Sequence, residues 1–252
     1  MNVTLTPGAR SGQIRIPASK SQAHRLLICA ALGDAPVRLR LDGRSKDIDA
    51  TIGCLRALGA EIACADGLLE IIPLRGSVTG ERTLFCGESG STLRFLLPVC
   101  GALGAEAVFR MEGRLPERPL APLDAELTAH GMTLRREGAL LYVRGQLQSG
   151  AYTLPGGVSS QYISGLLMAL PRLPGGSTLH IAGELQSAGY VDMTLDTLAR
   201  HGITIHEKSP ELYEIPGGQS YKAGAFAVEG DYSQAAFWLV SGLTGAGITL
   251  QG

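Results

Sequence analysis

A short segment that begins with serine and ends eight residues later in a leucine pair occurs three times in this 252-residue chain. The copies begin at Ser19, Ser89 and Ser159, so consecutive copies are 70 residues apart. A constant spacing of this kind indicates a fold built from repeated supersecondary units, because each unit buries its apolar faces against its neighbours. This period constrains the fold more strongly than any single motif in the sequence.

Other segments recur in the same order within each copy. Gly59, Gly131 and Gly202 each follow a segment of helical character, and glycine is favoured just past the last turn of a helix. Alternating apolar and polar residues predict short strands around the two helices of each copy. These strands cover residues 37–41, 108–111 and 178–181 between the helices, 13–16, 83–86 and 152–154 before the first helix, and 68–72, 140–143 and 212–215 after the second. One unit is therefore predicted to be β-α-β-α-β-β.

The first helix of each unit is apolar on nearly every side, and a helix of that kind is usually buried. We therefore predict an α/β fold with three central helices and sheets outside them. Equivalent helices would point their N-termini in one direction, where free backbone N–H groups bind anions. Lys20, Arg25, Arg94 and Arg118 fall near these ends, which predicts a phosphate or carboxylate site. The alternative is that the repeated serines are ordinary N-caps.

A fourth unit begins near the carboxyl end of the sequence. Residues 226–231 predict its first strand, residues 233–243 its helix, and residues 247–252 a second strand. Part of a unit cannot bury its own faces, so we expect this chain to be the amino-terminal part of a longer protein. We also expect residues 3–6 to form a strand that pairs with residues 248–250 and shields the apolar helix.

Composition excludes several classes of function. The net charge of −1 gives no reason to expect a nucleic acid or an anionic membrane as partner. The first ten residues lack the apolar core of a secretory signal, and we expect a soluble, cytoplasmic protein. The cysteines form no CxxC pair and are predicted to be buried free thiols, and the histidines lack metal-ligand spacing, so we expect no metal and no cofactor. The cysteines are Cys29, Cys54, Cys64, Cys86 and Cys100.

Five segments, in this order, resemble one family of enzymes. They are residues 17–21 with Arg25, residues 86–94, residues 115–120, residues 159–161, and Ser187 with residues 190–192. Together they resemble the enolpyruvyl transferases, and among these most closely the 5-enolpyruvylshikimate-3-phosphate synthases (3-phosphoshikimate 1-carboxyvinyltransferases). The resemblance implies two like domains, each an inside-out α/β barrel of three β-α-β-α-β-β repeats about a pseudo-threefold axis.

The same resemblance implies where the domains begin and end. Residues 15–226 would form a complete first domain, with repeats near 15–85, 86–155 and 156–226. Residues 1–14 would be a strand segment of the second domain with the crossover, and residues 227–252 would begin that second domain.

The activity implied by the resemblance is a step of the shikimate pathway, which serves aromatic amino acid biosynthesis. It transfers the enolpyruvyl group of phosphoenolpyruvate to the 5-hydroxyl of shikimate 3-phosphate and releases phosphate. Phosphoenolpyruvate would contact Lys20, Gly90, Arg118 and Gln161, with glyphosate as a competitor, and we expect a monomer. Shikimate 3-phosphate would contact Lys20, Ser21, Arg25, Ser159, Ser160, Gln161, Ser187 and Tyr190.

The chain departs from the family pattern in two respects. The family's catalytic acid and base lie in the second domain, beyond Gly252, and Asp231 is expected to be an N-cap or cleft residue instead. Glu88 stands where many relatives carry asparagine, so no substrate contact is inferred for it.

Three alternatives remain open at this point. One is a non-catalytic module that binds shikimate 3-phosphate, and we expect the isolated chain to behave in this way. A second is the UDP-N-acetylglucosamine enolpyruvyl transferase, which has Lys-Asn in place of Lys20-Ser21 and a reactive cysteine in the loop corresponding to residues 113–123. This chain has no cysteine there. A purely structural repeat protein would leave the placement of Lys20, Arg25 and Arg118 unexplained.

Overall fold

The computed structural model describes residues 4, 8, 11–243 and 247–252. The helices are α1 (Lys20–Ala31), α2 (Lys46–Leu58), α3 (Gly90–Leu103), α4 (Leu123–Ala129), α5 (Ser160–Ala169), α6 (Ala188–Arg200) and α7 (Tyr232–Leu243). The strands are β1 (Gly12–Arg15), β2 (Val37–Arg40), β3 (Glu61–Ala65), β4 (Leu68–Ile72), β5 (Arg82–Gly87), β6 (Ala107–Met111), β7 (Thr133–Glu137), β8 (Leu140–Arg144), β9 (Ala151–Pro155), β10 (Ser177–Ala182), β11 (His206–Ser209), β12 (Leu212–Ile215), β13 (Ala225–Ala227) and β14 (Ile248–Gln251).

Three four-stranded sheets share one strand order. The orders are β5-β6-β8-β7, β9-β10-β12-β11 and β13-β2-β4-β3. In each sheet the first two strands are parallel and the remaining pairs are antiparallel. The sheets β5-β6-β8-β7 and β9-β10-β12-β11 each come from one continuous repeat, the second and the third along the chain, which confirms the predicted β-α-β-α-β-β order for those two copies.

The first repeat differs from the prediction. Residues 13–16 were expected to be its first strand, but β13 occupies that position and pairs in parallel with β2. Strand β1 instead pairs in parallel with β14, with Gly12 opposite Ile248. Strand β13, which was expected to begin a fourth unit, is therefore the edge strand of the sheet formed by the first repeat. The alternating pattern that identified these strands reports which residues face the core, and it carries no information about which distant strand lies alongside.

The predicted strand at residues 3–6 falls outside the described residues, apart from residue 4, which is not in a strand. The shielding expected for α7 is incomplete among the described residues. Phe237 and Leu243 of this helix are 77% and 87% exposed, although Ala235 is buried. Most of the large apolar side chains of α7 thus remain exposed in the part of the chain that the structure describes.

The core is formed around the first helix of each repeat. Residues 22–31 of α1 are all buried, and α3 and α5 are also buried along most of their length. Helix α3 contacts both α1 and α5. Leu26, Leu96 and Leu166 are fully buried, and complete burial of a leucine side chain contributes about 2 kcal/mol. These contacts explain why the apolar runs recur at a fixed period.

The repeated serines are the N-caps of the three central helices. The hydroxyls of Ser19, Ser89 and Ser159 accept hydrogen bonds from the backbone N–H groups of Gln22, Thr92 and Gln161, respectively. Capping fixes where each helix begins, and it leaves the next residues of α1, α3 and α5 to face whatever lies at the helix N-termini.

Cys64 is exposed, so the prediction that all five cysteines are buried is wrong at that position, while the other four are buried. Cys64 lies in β3, an edge strand whose residues from Ala63 onward are exposed, and its apolar neighbours alone did not reveal this. Among the described residues, no helix is long and apolar enough to cross a membrane.

Candidate functional site

A cavity of about 470 Å³ lies where the N-termini of α1, α3, α5 and α6 meet. All eight residues predicted to contact shikimate 3-phosphate line it. The full lining comprises Lys20, Ser21, Arg25, Ser91, Arg94, Phe95, Gly157, Val158, Ser159, Ser160, Gln161, Gln186, Ser187 and Tyr190. The N-termini of the three repeated helices therefore converge on one polar cavity, as the repeat predicted.

Arg25 is the most buried charge in this lining, with 2% of the residue exposed. Its Nε donates to Thr194 Oγ1 at 2.6 Å, and its Nη1 donates to the Ser21 carbonyl at 2.7 Å. Its Nη2 donates to Ser164 Oγ at 3.1 Å and to the Tyr190 carbonyl at 2.9 Å. The guanidinium is therefore held in one orientation by helices α1, α5 and α6.

The partners of Arg25 are all neutral. In the described part of the chain no carboxylate forms an ion pair with it. Burial lowers the pKa of Arg25 to about 10, so the guanidinium remains charged at neutral pH. A buried charge normally needs a partner of opposite sign, and here the open side of the charge is the cavity. The cavity is therefore suited to an anion.

Three serine hydroxyls face the same cavity without a protein partner among the described residues. They belong to Ser21, Ser160 and Ser187. Ser187 precedes α6 in the left-handed backbone conformation, with φ of 59°, and its side chain does not cap the helix. A non-glycine residue in this conformation is uncommon and costs about 1–3 kcal/mol, which is typical of functional positions. The hydroxyls can thus donate hydrogen bonds to a ligand.

Lys20 stands at the rim of the cavity in an ion pair. Its Nζ lies 2.8 Å from Asp47 Oδ2, and the two side chains are 47% and 31% exposed. Asp47 belongs to the first turn of α2, where a carboxylate is favoured by the helix dipole. The pair holds a flexible lysine beside the cavity, although an exposed pair of this kind is weak.

The predicted phosphoenolpyruvate residues Gly90 and Arg118 do not line the cavity but adjoin it. A Cβ atom placed on Gly90 would lie 3.2 Å from Arg118 Nη1 and 3.5 Å from Arg94 Nη1. Two guanidinium groups therefore approach one glycine. Arg118 is exposed, and its side chain has no hydrogen-bond or ion-pair partner in the part of the chain that the structure describes. Close cations without carboxylates between them favour an anion at this position.

Gln161 joins the cavity to this second group. Its Oε1 accepts from Arg94 Nη1 at 2.7 Å, and its Nε2 donates to Ser91 Oγ at 2.9 Å. Arg94 was predicted only as a basic residue near an anion site and not as a substrate contact, and Ser91 was not predicted at all. Ser91 could have been found from the repeat, because it stands 70 residues after Ser21 in the equivalent position. The role of Arg94 depends on contacts that sequence spacing does not reveal.

Glu88 and Asp231 lie away from the cavity. A Cβ atom placed on Gly113 would collide with the Glu88 carboxylate, so that side chain lies against Gly113. It lines a separate cavity that also contains Lys46. Asp231 accepts hydrogen bonds from the backbone N–H groups of Ser233 and Gln234, at 2.9 and 3.2 Å. It is therefore the N-cap of α7, as expected.

A buried hydrogen-bond chain connects the first three helices beneath the cavity. His24 Nδ1 lies 2.7 Å from Thr51 Oγ1, which lies 2.7 Å from Thr92 Oγ1. Thr92 Oγ1 in turn donates to Ser89 Oγ at 2.7 Å. Burial lowers the pKa of His24 to about 3, so this histidine is neutral at physiological pH. The chain fixes the start of α3 relative to α1.

Comparison with known proteins identifies the family. The sequence model described as EPSP synthase (3-phosphoshikimate 1-carboxyvinyltransferase) matches residues 5–252. This chain belongs to the EPSP synthase family. Relatives named 3-phosphoshikimate 1-carboxyvinyltransferase include those of Clostridium kluyveri, 40% identical over 99% of this chain, and Clostridium botulinum, 42% identical over 94%. The matches span 59% and 56% of those relatives, respectively.

Solved structures agree with this family assignment at the level of fold. EPSP synthase from Acinetobacter baumannii superposes with a TM-score of 0.81 at 23% identity, covering 96% of this chain and 56% of that chain. These matches establish an α/β fold with several small sheets. The EPSP synthase assignment does not favour the UDP-N-acetylglucosamine enolpyruvyl transferase considered from the sequence.

Proposed function

We propose that this chain provides the shikimate 3-phosphate half-site of a 3-phosphoshikimate 1-carboxyvinyltransferase. The complete enzyme would transfer the enolpyruvyl group of phosphoenolpyruvate to the 5-hydroxyl of shikimate 3-phosphate and release phosphate. The observation that carries the proposal is the buried Arg25, a cation with neutral partners that opens onto a cavity lined by all eight predicted residues.

Each group in the cavity has a definite task in this proposal. The charge of Arg25 binds an anionic group of shikimate 3-phosphate, because the ligand supplies the negative partner that the protein lacks. The hydroxyls of Ser21, Ser160 and Ser187 and the N-termini of the central helices donate hydrogen bonds to its oxygens. Lys20 adds a mobile positive charge at the rim, where both anionic substrates would meet.

The phosphoenolpyruvate site would be only partly provided by these residues. Arg118 can bind a carboxylate or phosphate with two parallel hydrogen bonds, and Gly90 lets the ligand approach the backbone. In the family, the catalytic acid, the base and further cations come from the second domain. We therefore propose that the 252 residues bind shikimate 3-phosphate but do not catalyse transfer on their own.

The domain arrangement of the proposal follows the repeat. Residues 15–226 would form the first domain as three β-α-β-α-β-β units about a pseudo-threefold axis, an inside-out barrel with helices inside and sheets outside. The shared strand order of the three four-stranded sheets and the contacts of α3 with both α1 and α5 support this arrangement. Residues 1–14 and 227–252 would belong to the second domain and its crossover. The pairing of β1 with β14 supports that division, whereas the pairing of β13 with β2 indicates that residues 225–227 still pack on the first domain.

Calorimetric titration of shikimate 3-phosphate into the chain tests the half-site. We expect saturable binding, and we expect the double variant Ser160→Ala/Ser187→Ala to bind about tenfold more weakly, since two hydrogen bonds to a charged ligand are lost. Ser77→Ala, an exposed serine outside the cavity, is the matched control and should leave the affinity unchanged. An absence of heat at millimolar ligand would contradict the half-site.

A phosphate-release assay tests the second part of the proposal. With phosphoenolpyruvate and shikimate 3-phosphate both present, the chain alone should release no phosphate above the uncatalysed rate. Measurable release, together with formation of the enolpyruvyl product, would show that the essential groups are already present.

A further inference from the structure

Arg94 lies next to both groups of predicted substrate contacts, because it donates to Gln161 and its guanidinium lies near Gly90. It belongs to α3, and its Nη1 donates to Gln161 Oε1 of α5 at 2.7 Å. Its guanidinium carbon lies 5.5 Å from the ring centroid of Tyr162, and Nη2 lies 3.5 Å from the Pro119 carbonyl. Tyr162 also donates its hydroxyl to the Pro119 carbonyl, at 2.8 Å. Arg94 thus connects α3, the start of α5 and the segment that carries Arg118.

The contact with Gln161 decides which way the amide of that residue faces. A glutamine side chain has one end that accepts hydrogen bonds and one end that donates them, and the two are related by a 180° flip. Arginine can only donate, so the end next to Arg94 must be the oxygen. Ser91 does not select an orientation, because a hydroxyl can both donate and accept.

The imposed orientation has a consequence for an anion in the cavity. With Oε1 held by Arg94 and one N–H of Nε2 directed to Ser91 Oγ, the second N–H of Gln161 is left for the cavity. In the flipped orientation the carbonyl oxygen would face an anionic ligand, and the two would repel each other. The orientation therefore determines whether Gln161 attracts or repels an anion.

We infer that Arg94 is a positioning residue that acts through Gln161, holding its amide so that an N–H group faces the bound substrate. The inference rests on the proposed function, because it takes shikimate 3-phosphate as the ligand of the cavity. It assigns to Arg94 an indirect role, in contrast to Arg25, whose guanidinium faces the cavity as a charge. Packing of Arg94 on Tyr162 and its contact with Pro119 keep the guanidinium at this position when the ligand is absent.

A double-mutant cycle separates an action through Gln161 from a direct action of the charge. Affinity for shikimate 3-phosphate is measured by calorimetry for the 252-residue chain and for Arg94→Met, Gln161→Met and the double variant. Methionine keeps much of the packing volume and removes the hydrogen bonds. Arg94→Lys is the conservative variant, since lysine is also a donor without an acceptor. The control is Arg110→Met, an exposed arginine that lies 5.7 Å over the ring of Phe85, away from the cavity.

The expected results are specific to positioning. Arg94→Met should weaken binding about tenfold in the wild-type background and less than twofold in the Gln161→Met background. Arg94→Lys should restore most of the affinity, and Arg110→Met should have no effect. Thermal midpoints of all variants show whether each is folded, and a merely structural role would lower the midpoint without this dependence on Gln161.

Two outcomes would overturn the inference while the proposed function stands. One is an equal loss of affinity for Arg94→Met in both backgrounds, which would mean that Arg94 acts directly on the ligand. The other is no loss in either background. If the wild-type chain itself does not bind shikimate 3-phosphate, the proposed function fails first, so the two failures are distinguishable.

Discussion

Arg25 and Arg118 are both predicted substrate contacts, but their surroundings differ. Arg25 is buried and is fixed by four hydrogen bonds to hydroxyl and carbonyl oxygens. Arg118 is exposed beside Gly90, and its side chain has no polar partner among the described residues. An ordered cation binds an anion without rearrangement, whereas an exposed side chain loses conformational entropy when a ligand orders it.

The two halves of the candidate site therefore differ in how far this chain encloses and orders them. The region around Arg25, which we call the Arg25 side, is enclosed by three helices and lined by hydroxyls. The region around Gly90 and Arg118, the Arg118 side, consists of a helix start and one exposed segment. We therefore expect the affinities of the two substrates to depend on the two sides to different degrees.

The largest effect is expected on the Arg25 side. Arg25→Met removes the charge that faces the cavity, and shikimate 3-phosphate should bind at least about a hundredfold more weakly, because a charge-assisted contact is lost in a desolvated site. Calorimetry measures the affinity, and the thermal midpoint shows whether the variant is folded. Arg75→Met, an exposed arginine outside the site, is the control. If a folded Arg25→Met variant binds shikimate 3-phosphate with an affinity within threefold of wild type, the two sides do not differ as we expect.

On the Arg118 side the effect should be confined to the other ligand. Arg118→Met should weaken binding of phosphoenolpyruvate about tenfold and change the affinity for shikimate 3-phosphate less than twofold. NMR titration, which measures millimolar dissociation constants, can follow both ligands at the amides of Gly90 and Ser91. Arg75→Met again serves as the control. Equal weakening of both ligands would show that the two sides form one inseparable site.

The buried hydrogen-bond chain from His24 to Ser89 connects the two sides. Because it contains a histidine, the free energy of unfolding of the protein should depend on pH. Burial lowers the pKa of His24 to about 3, whereas in the unfolded chain it titrates near its ordinary value of 6.5. Below pH 6.5 the unfolded state therefore binds the proton first, and the free energy of unfolding falls by up to about 1.4 kcal/mol per pH unit. Above pH 6.5 this contribution is constant. Burial also lowers the pKa of His201, which acts in the same direction.

His24→Asn should reduce the dependence of unfolding on pH between pH 6.5 and 5, above the range where most carboxylates titrate. Urea unfolding at several pH values measures the slope. His206→Asn, at an exposed histidine of β11, is the matched control and should leave the slope unchanged. An unaltered slope in His24→Asn would show that this histidine does not couple the buried chain to protonation.

The smallest effect is expected at the rim. Asp47→Asn removes a carboxylate that pairs with Lys20, so shikimate 3-phosphate should bind about two- to threefold more tightly at low ionic strength. The gain should disappear at high salt, because exposed charges are screened. Asp34→Asn, which disrupts a comparable pair with Lys222 elsewhere, is the control. Weaker binding in Asp47→Asn would mean that Asp47 chiefly orients Lys20.

That the residues of the Arg25 side lie close together could be predicted from the sequence, because the helix starts that carry several of them recur with the repeat. Ser19, Ser89 and Ser159 lie at equivalent positions, so their helices begin equivalently and their N-termini meet. The resemblance to a family then selected the individual contacts, and the structure brings those of the Arg25 side into one cavity.

What the sequence did not predict depends on contacts between distant segments. Strand β13, and not residues 13–16, pairs with β2 in the sheet of the first repeat. The alternating pattern does not show which of these two strands pairs with β2. Arg94 could likewise be recognised from the sequence only as a basic residue near a helix start. Its contact with Gln161 joins residues 67 positions apart and follows from the packing of α3 on α5. Local patterns determine the elements, whereas packing determines which partners they find.

The most direct test compares the two ligands on the unmodified chain. Shikimate 3-phosphate and phosphoenolpyruvate are each titrated alone, under the same buffer and salt, and their dissociation constants are determined. A preformed Arg25 side predicts that shikimate 3-phosphate binds at least about tenfold more tightly than phosphoenolpyruvate. Equal affinities, or tighter binding of phosphoenolpyruvate, would contradict the account.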